Sequence, residues 1–103
     1  MSFFGLFGGD KDSDQIEVYL NEGAVVIDVR TVAEFNSGHV AGSKNIVLDT
    51  IPNKIAEIKA MNKKVIACCK SGARSGQATN FLKDNGVDCI NGGPWQNVGK
   101  FVK

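Results

Sequence analysis

The chain reads as an α/β domain with a mainly parallel central sheet flanked by helices. Three observations predict this class. Ala24–Ile27 and Val65–Cys68 are continuous apolar runs rather than alternating ones, the pattern of strands covered on both faces. Stretches with helical spacing and capping residues stand between the runs. Strands therefore alternate with helices, the order that builds a parallel sheet.

The elements follow in turn. Asp14 stands three residues before Glu17, a helix-start pattern, and Ile16, Tyr19 and Leu20 give that helix an apolar face ended by Gly23. Ala24–Ile27 is the first strand and runs into Asp28-Val29-Arg30. Thr31 and Glu34 form a capping box over a short helix, with Val32 and Phe35 expected inward. The loop Gly38–Gly42 leads to a short strand near Asn45–Val47. Asp49 or Thr50 caps the next helix, Pro52 suits its first turn, and Ile51, Ile55 and Ile58 make one buried stripe. Val65–Cys68 is the second apolar strand. A helix is expected from about Ser75 to Asp84, with Ala78, Phe81 and Leu82 inward and Gly86 as its stop. Val87–Ile90 is the last strand, Asn91-Gly92-Gly93 a turn, and Pro94 opens a final short helix with Trp95 and Val98.

The 103 residues suffice for one domain. Residues 1–13 read as an apolar, flexible N-terminal arm and residues 14–103 as the domain. The arm has no basic start, and Gly5 and Gly8 interrupt it, so neither a secretory signal nor a membrane span is expected. Twelve basic residues nearly balance eleven acidic ones, which excludes a global field for nucleic acid or membrane surface. The three cysteines, Cys68, Cys69 and Cys89, are odd in number and two are adjacent, so they form no disulfide framework. Free thiols imply a reducing compartment, and a cytoplasmic location is expected.

The chemistry concentrates in Cys69-Lys70-Ser71-Gly72-Ala73-Arg74, a loop from strand to helix. Backbone N–H groups of a tight glycine-containing loop converge on one point, and the following helix aims the positive end of its dipole there. Lys70 and Arg74 add full charges. Each effect favours thiolate over thiol at Cys69, and a thiolate is a nucleophile at neutral pH. Ligands of parallel sheets bind beyond the carboxyl ends of the strands, where Cys69 stands.

Here the sequence resembles the rhodanese family. Cys69–Arg74, followed by Ser75, is similar to that family's six-residue active-site loop. Val26–Arg30, Glu34 and Gly38–Gly42 resemble its first half, and Gly92, Gly93 and Trp95 its end. The likeness covers about residues 14–98. It implies a three-layer rhodanese-like fold and a sulfurtransferase with no cofactor beyond a persulfide on Cys69. Such an enzyme takes sulfane sulfur from thiosulfate or a similar small anionic donor and passes it to cyanide, a thiol or a protein thiol. A thioredoxin-like protein is one candidate acceptor. By the same resemblance Cys69 is the nucleophile, and Lys70, Ser71, Gly72, Ala73 and Arg74 form the anion cradle. Lys70 stands where an arginine is common, Cys68 where an aromatic residue is common, and Ala41 where a proline is common.

Two other functions compete. A sulfur carrier or protein-docking module would load sulfur but release it only to one protein. A phosphatase or arsenate reductase would use Cys68, since five residues separate Cys68 from Arg74 and Ser75 follows. Against that stand the strand character of Val65–Cys68 and the lack of an identified general acid. The remaining residues have plainer readings. Cys68 and Cys89 fit as small buried strand residues, and His39 as a hydrogen-bonding loop residue. Asp28 and Arg30 fit as an ion pair at the strand end, with lining of the Cys69 pocket as the alternative, and Trp95 as core or pocket wall. One histidine and no Cys-x2-Cys pair suggest no metal site.

Overall fold

The structure, a computed structural model, describes residues 8–102, with side chains from Gln15 onward. Its centre is a parallel sheet of four strands: β1 (Val25–Asp28), β2 (Lys44–Asn45), β3 (Val65–Cys69) and β4 (Cys89–Pro94), in the order β2-β1-β3-β4. Helices α3 (Ile51–Ala60) and α4 (Ala73–Asp84) cover one face. Helices α1 (Gly8–Asn21) and α5 (Trp95–Gly99) cover the other, and the short α2 (Val32–Asn36) follows β1.

Two cores result, one on each face. Side chains of a strand alternate in direction. Along β3, Val65, Ala67 and Cys69 enter the α3/α4 layer, while Ile66 and Cys68 enter the α1/α5 layer. Ile27, Ile51, Ile58 and Leu82 are fully buried in the first layer, and each contributes about 1.5–3 kcal/mol through burial. The α/β class and the parallel sheet are as the sequence predicts. So are the capping box at Thr31, the place of Pro52 in the first turn of α3, and burial of Ile51 and Ile58.

Several local readings need correction. Helix α1 begins at Gly8 rather than at Asp14. The acidic lead-in suits the positive end of a helix, so it extends α1 instead of preceding it. Residues 1–7, the phenylalanine-rich part of the expected arm, lie outside the described residues. Neither Thr50 nor Asp49 caps α3 with its side chain: Thr50 stands at the N-cap but bonds back to the Val47 carbonyl. Val32 and Phe81 stand exposed, at 57% and 37%: Val32 opens a five-residue helix that has no buried residue, and Phe81 lines a surface groove with Leu48, Ile51 and Pro52.

The largest correction concerns Asn91-Gly92-Gly93. These residues are not a turn but the middle of β4. A register shift lets Ala67 face Asn91 and Cys68 face Gly93, so Gly92 is the extra residue of a β-bulge. A Cβ on Gly92 would stand 2.6 Å from a Val98 methyl and 2.8 Å from an Ile66 methyl, which leaves room for glycine only. Glycines in sequence are equally good signals for a turn and for a bulge, and here the close approach of α5 decides.

Candidate active site

Cys69 is the last residue of β3, and Gly72 is the residue before α4. Gly72 has φ 104°, a left-handed conformation that lets the chain turn sharply into the helix. Its position is also tight, since a Cβ there would stand 3.4 Å from the Cα of Gly93. No side-chain oxygen caps α4. The cap is the sulfur of Cys69. Its Sγ accepts from the Gly72 N–H at 3.0 Å and from the Ser75 N–H at 3.4 Å, and the Ser75 hydroxyl lies 3.3 Å away. The first-turn amides of a helix are unpaired within it and carry partial positive charge. Here the Ser75 N–H of that turn and the Gly72 N–H just before it meet on one sulfur atom, while the Ala73 N–H points to Ser71 Oγ at 3.5 Å.

The titration of the thiol follows from that geometry. Burial pushes Cys69 up, but the Ser75 hydroxyl and the N–H groups of Ser75, Gly72 and Ser71 outweigh it, and the thiol titrates below its ordinary 9.0. The sulfur has no exposed surface and forms the floor under the loop, whose rim residues Lys70 and Ser71 are exposed. The other two thiols differ. Burial, with the Asp28 charge behind it, pushes Cys68 up to about 12. Burial also pushes Cys89 up to about 11. Cys68 packs among Ile16, Ile66 and Val98 on the opposite face of the sheet, so the loop amides do not reach it.

Arg74 stands near the sulfur but spends its guanidinium elsewhere. Its Nη1 and Nη2 donate to Glu34 Oε1 at 2.8 Å and Oε2 at 3.1 Å, a two-pronged pair that ties α4 to α2. The Arg74 bonds, with those from Thr31, hold the Glu34 carboxyl at about 2, below its ordinary 4.5. Lys70 is exposed beside Cys69 and Ala73 lies in the first turn of α4; of the loop residues named from sequence, Gly72 hydrogen-bonds the sulfur.

Asp28, Arg30 and Trp95 form a separate assembly. Arg30 donates to both Asp28 oxygens at 2.7–3.0 Å and to the Gly38 carbonyl at 2.6 Å, with Trp95 5.0 Å from the guanidinium carbon. Both charged side chains are almost fully buried. Asp28 pairs with Cys68 in the sheet register, so this assembly flanks Cys68 rather than the Cys69 loop. His39 caps a turn: its Nδ1 lies 2.8 Å from the Phe35 carbonyl and its ring stacks on Phe35.

Two residues of the site escape a reading by sequence. Ser75 reads as a helix start and as the residue that follows the loop motif, with no role of its own, yet its hydroxyl meets the sulfur. Asn91 reads only as a turn residue, yet it bonds to Ser75, Gly72 and Gly93. The Ser75 signal was its place three residues after the glycine that starts α4; Asn91 becomes visible only once the bulge is known.

A family model described as Rhodanese-like domain matches residues 12–94. The chain belongs to that family. Among its relatives, a protein from Allochromatium vinosum named Sulfurtransferase is 32% identical over 77 residues, covering 73% of this chain and 71% of the relative. An uncharacterized Bacillus subtilis protein, YqhL, is 40% identical over 63 residues, covering 61% of this chain and 49% of its own length. The chain thus spans about half the length of that relative. Among solved structures, a rhodanese-related protein from Thermoplasma volcanium superposes with a TM-score of 0.70 at 26% identity, covering 88% of this chain and 91% of that one. The likeness to that structure agrees with the helix-sheet-helix architecture described above. No helix among the described residues is long and apolar enough to cross a membrane.

Proposed function

We propose that the protein is a sulfurtransferase that carries sulfur as a persulfide on Cys69. The observation that supports this best is the sulfur in the cap position of α4, where several N–H groups and one hydroxyl meet it. That setting favours an anion, whether thiolate or persulfide.

The reaction has two displacements. The Cys69 thiolate attacks the outer, sulfane sulfur of thiosulfate or a similar donor. A new S–S bond forms, the donor's S–S bond breaks, and sulfite leaves with the electron pair. A thiophilic acceptor such as cyanide, a small thiol or a protein thiol then attacks the outer sulfur of the persulfide. Cys69 leaves as the thiolate, held again by the same amides. Lys70 at the exposed rim draws in the anionic donor, while Arg74 stays tied to Glu34 and braces the loop.

The test is to incubate the reduced protein with thiosulfate, desalt it and weigh it intact, beside Cys68→Ser and Cys69→Ser. Wild type and Cys68→Ser are expected to gain one sulfur atom and to lose it to cyanide. An adduct that follows Cys68, or none on the wild type, contradicts the proposal. The Cys68 phosphatase reading fares worse on geometry, because that thiol packs on the far face of the sheet, away from the loop amides.

A further inference from the structure

One polar side chain of β4 touches the sulfur loop at three points. Asn91 Nδ2 donates to the Gly72 carbonyl at 3.0 Å. Its Oδ1 accepts from the Gly93 N–H at 2.9 Å and from the Ser75 hydroxyl at 2.7 Å. These partners settle the orientation of the amide: exchanging its oxygen and nitrogen would set donor against donor at Gly93 and acceptor against acceptor at Gly72. The bulge at Gly92 is what brings Asn91 and Gly93 to the loop together.

Ser75 has a single hydroxyl proton and two neighbours for it. With the proton on Asn91, the Ser75 oxygen offers a lone pair to Cys69 Sγ, 3.3 Å away, which suits a thiol S–H. With the proton turned to Sγ, the arrangement suits an anionic sulfur. Asn91 is exposed and its Oδ1 keeps the Gly93 N–H in either case, so the turn of the hydroxyl leaves that oxygen with a partner.

We propose that Asn91 is a positioning residue of the sulfur site, which gives the Ser75 proton a resting acceptor, so that the hydroxyl turns to Cys69 only when the sulfur is anionic. Its purpose rests on the persulfide reading; its test does not. The charged and titratable groups around Cys69 are Lys70 in the loop, Arg74 on α4 and Glu34 on α2. Behind the sheet stand Asp28 of β1, Arg30 just after it and Cys68 of β3, Cys89 lies along β4, and Asp49 is exposed in a 3-10 turn, Leu48–Thr50, that packs on α4. Asn91 hydrogen-bonds to none of these groups.

The experiment follows the pH dependence of Cys69 alkylation, which needs no sulfur donor, in wild type, Asn91→Asp, Asn91→Ala, Ser75→Ala and the two double variants. On the acidic side of the titration, Asn91→Asp is expected to slow alkylation about threefold to tenfold, because a carboxylate holds the Ser75 proton away from sulfur. Asn91→Ala is expected to speed it about twofold, because the sulfur is then the one protein neighbour left to the hydroxyl of the two given above. In the Ser75→Ala background both effects shrink to less than half. Slowing in both variants, as a loosened loop alone would produce, overturns the proposal, and so do effects that ignore the Ser75 hydroxyl. Should Asn91→Asp fail to fold, the sign of Asn91→Ala with and without Ser75 decides. A wild type that takes no sulfur from thiosulfate sinks the persulfide reading and leaves this test intact.

Discussion

Cys68 and Cys69 are neighbours in the chain and sit on opposite faces of one sheet. Both are closed to solvent, so exposure does not distinguish them. Their surroundings do. Cys68 faces hydrocarbon and the buried Asp28 carboxylate, which penalise a thiolate. Cys69 faces the first turn of a helix and a hydroxyl, which reward one. The strand period of two residues thus separates a thiol pushed up from a thiol pulled down by a single step along the backbone. Reactivity here is a property of the loop and helix that receive the side chain.

Three substitutions probe that contrast, from the largest effect to the smallest. Asp28→Asn strikes the Cys68 face. It leaves the buried Arg30 guanidinium without its counter-charge, and urea denaturation is expected to show a loss of about 3–5 kcal/mol. Alkylation of Cys69 in the protein that remains folded should change by no more than about twofold, since the Arg30 side chain bonds to Asp28 and Gly38 and not to the Cys69 loop. Gly92→Ala tests whether the faces are mechanically joined. The added methyl group meets Val98 and Ile66 on the Cys68 side. Overpacking of this kind costs about 1–3 kcal/mol. Because the bulge also places Asn91 and Gly93, sulfur loading of Cys69 is expected to fall as well, read by intact mass after thiosulfate.

Glu34→Gln touches only the rim of the Cys69 face and should matter least. The folded carboxyl titrates at about 2, below its ordinary 4.5. A depressed carboxyl stabilises the fold above the unfolded value and loses that contribution as the pH falls through the folded one. Denaturation midpoints of wild type and Glu34→Gln should therefore differ slightly above about pH 4.5 and converge by about pH 2. A gap that widens towards acid contradicts the assigned pair.

Much of this arrangement is legible in the sequence, and the failures have physical causes. The apolar runs at Ala24–Ile27 and Val65–Cys68 mark central strands because both of their faces are covered. The Thr31–Glu34 capping box and the Cys69 loop are local patterns whose geometry is set within a few residues. The sidedness of Val32 and Phe81 is not local, since it depends on which layer has space. The β4 bulge is hidden because two glycines fit a turn as well as a crowded strand. Asn91 is hidden with it, being a partner of the loop only across nineteen residues of chain. Glu34 is legible as a cap and illegible as the partner of Arg74, which lies forty residues away.

The most direct test of the central contrast is brief alkylation of the reduced, folded protein with a small haloacetamide near neutral pH, followed by digestion and fragment-ion sequencing. The structure predicts label on Cys69, entering through the loop, with Cys68 and Cys89 protected until the protein is unfolded. Label on Cys68 at a comparable rate, or no label on Cys69 in the folded protein, would contradict the account.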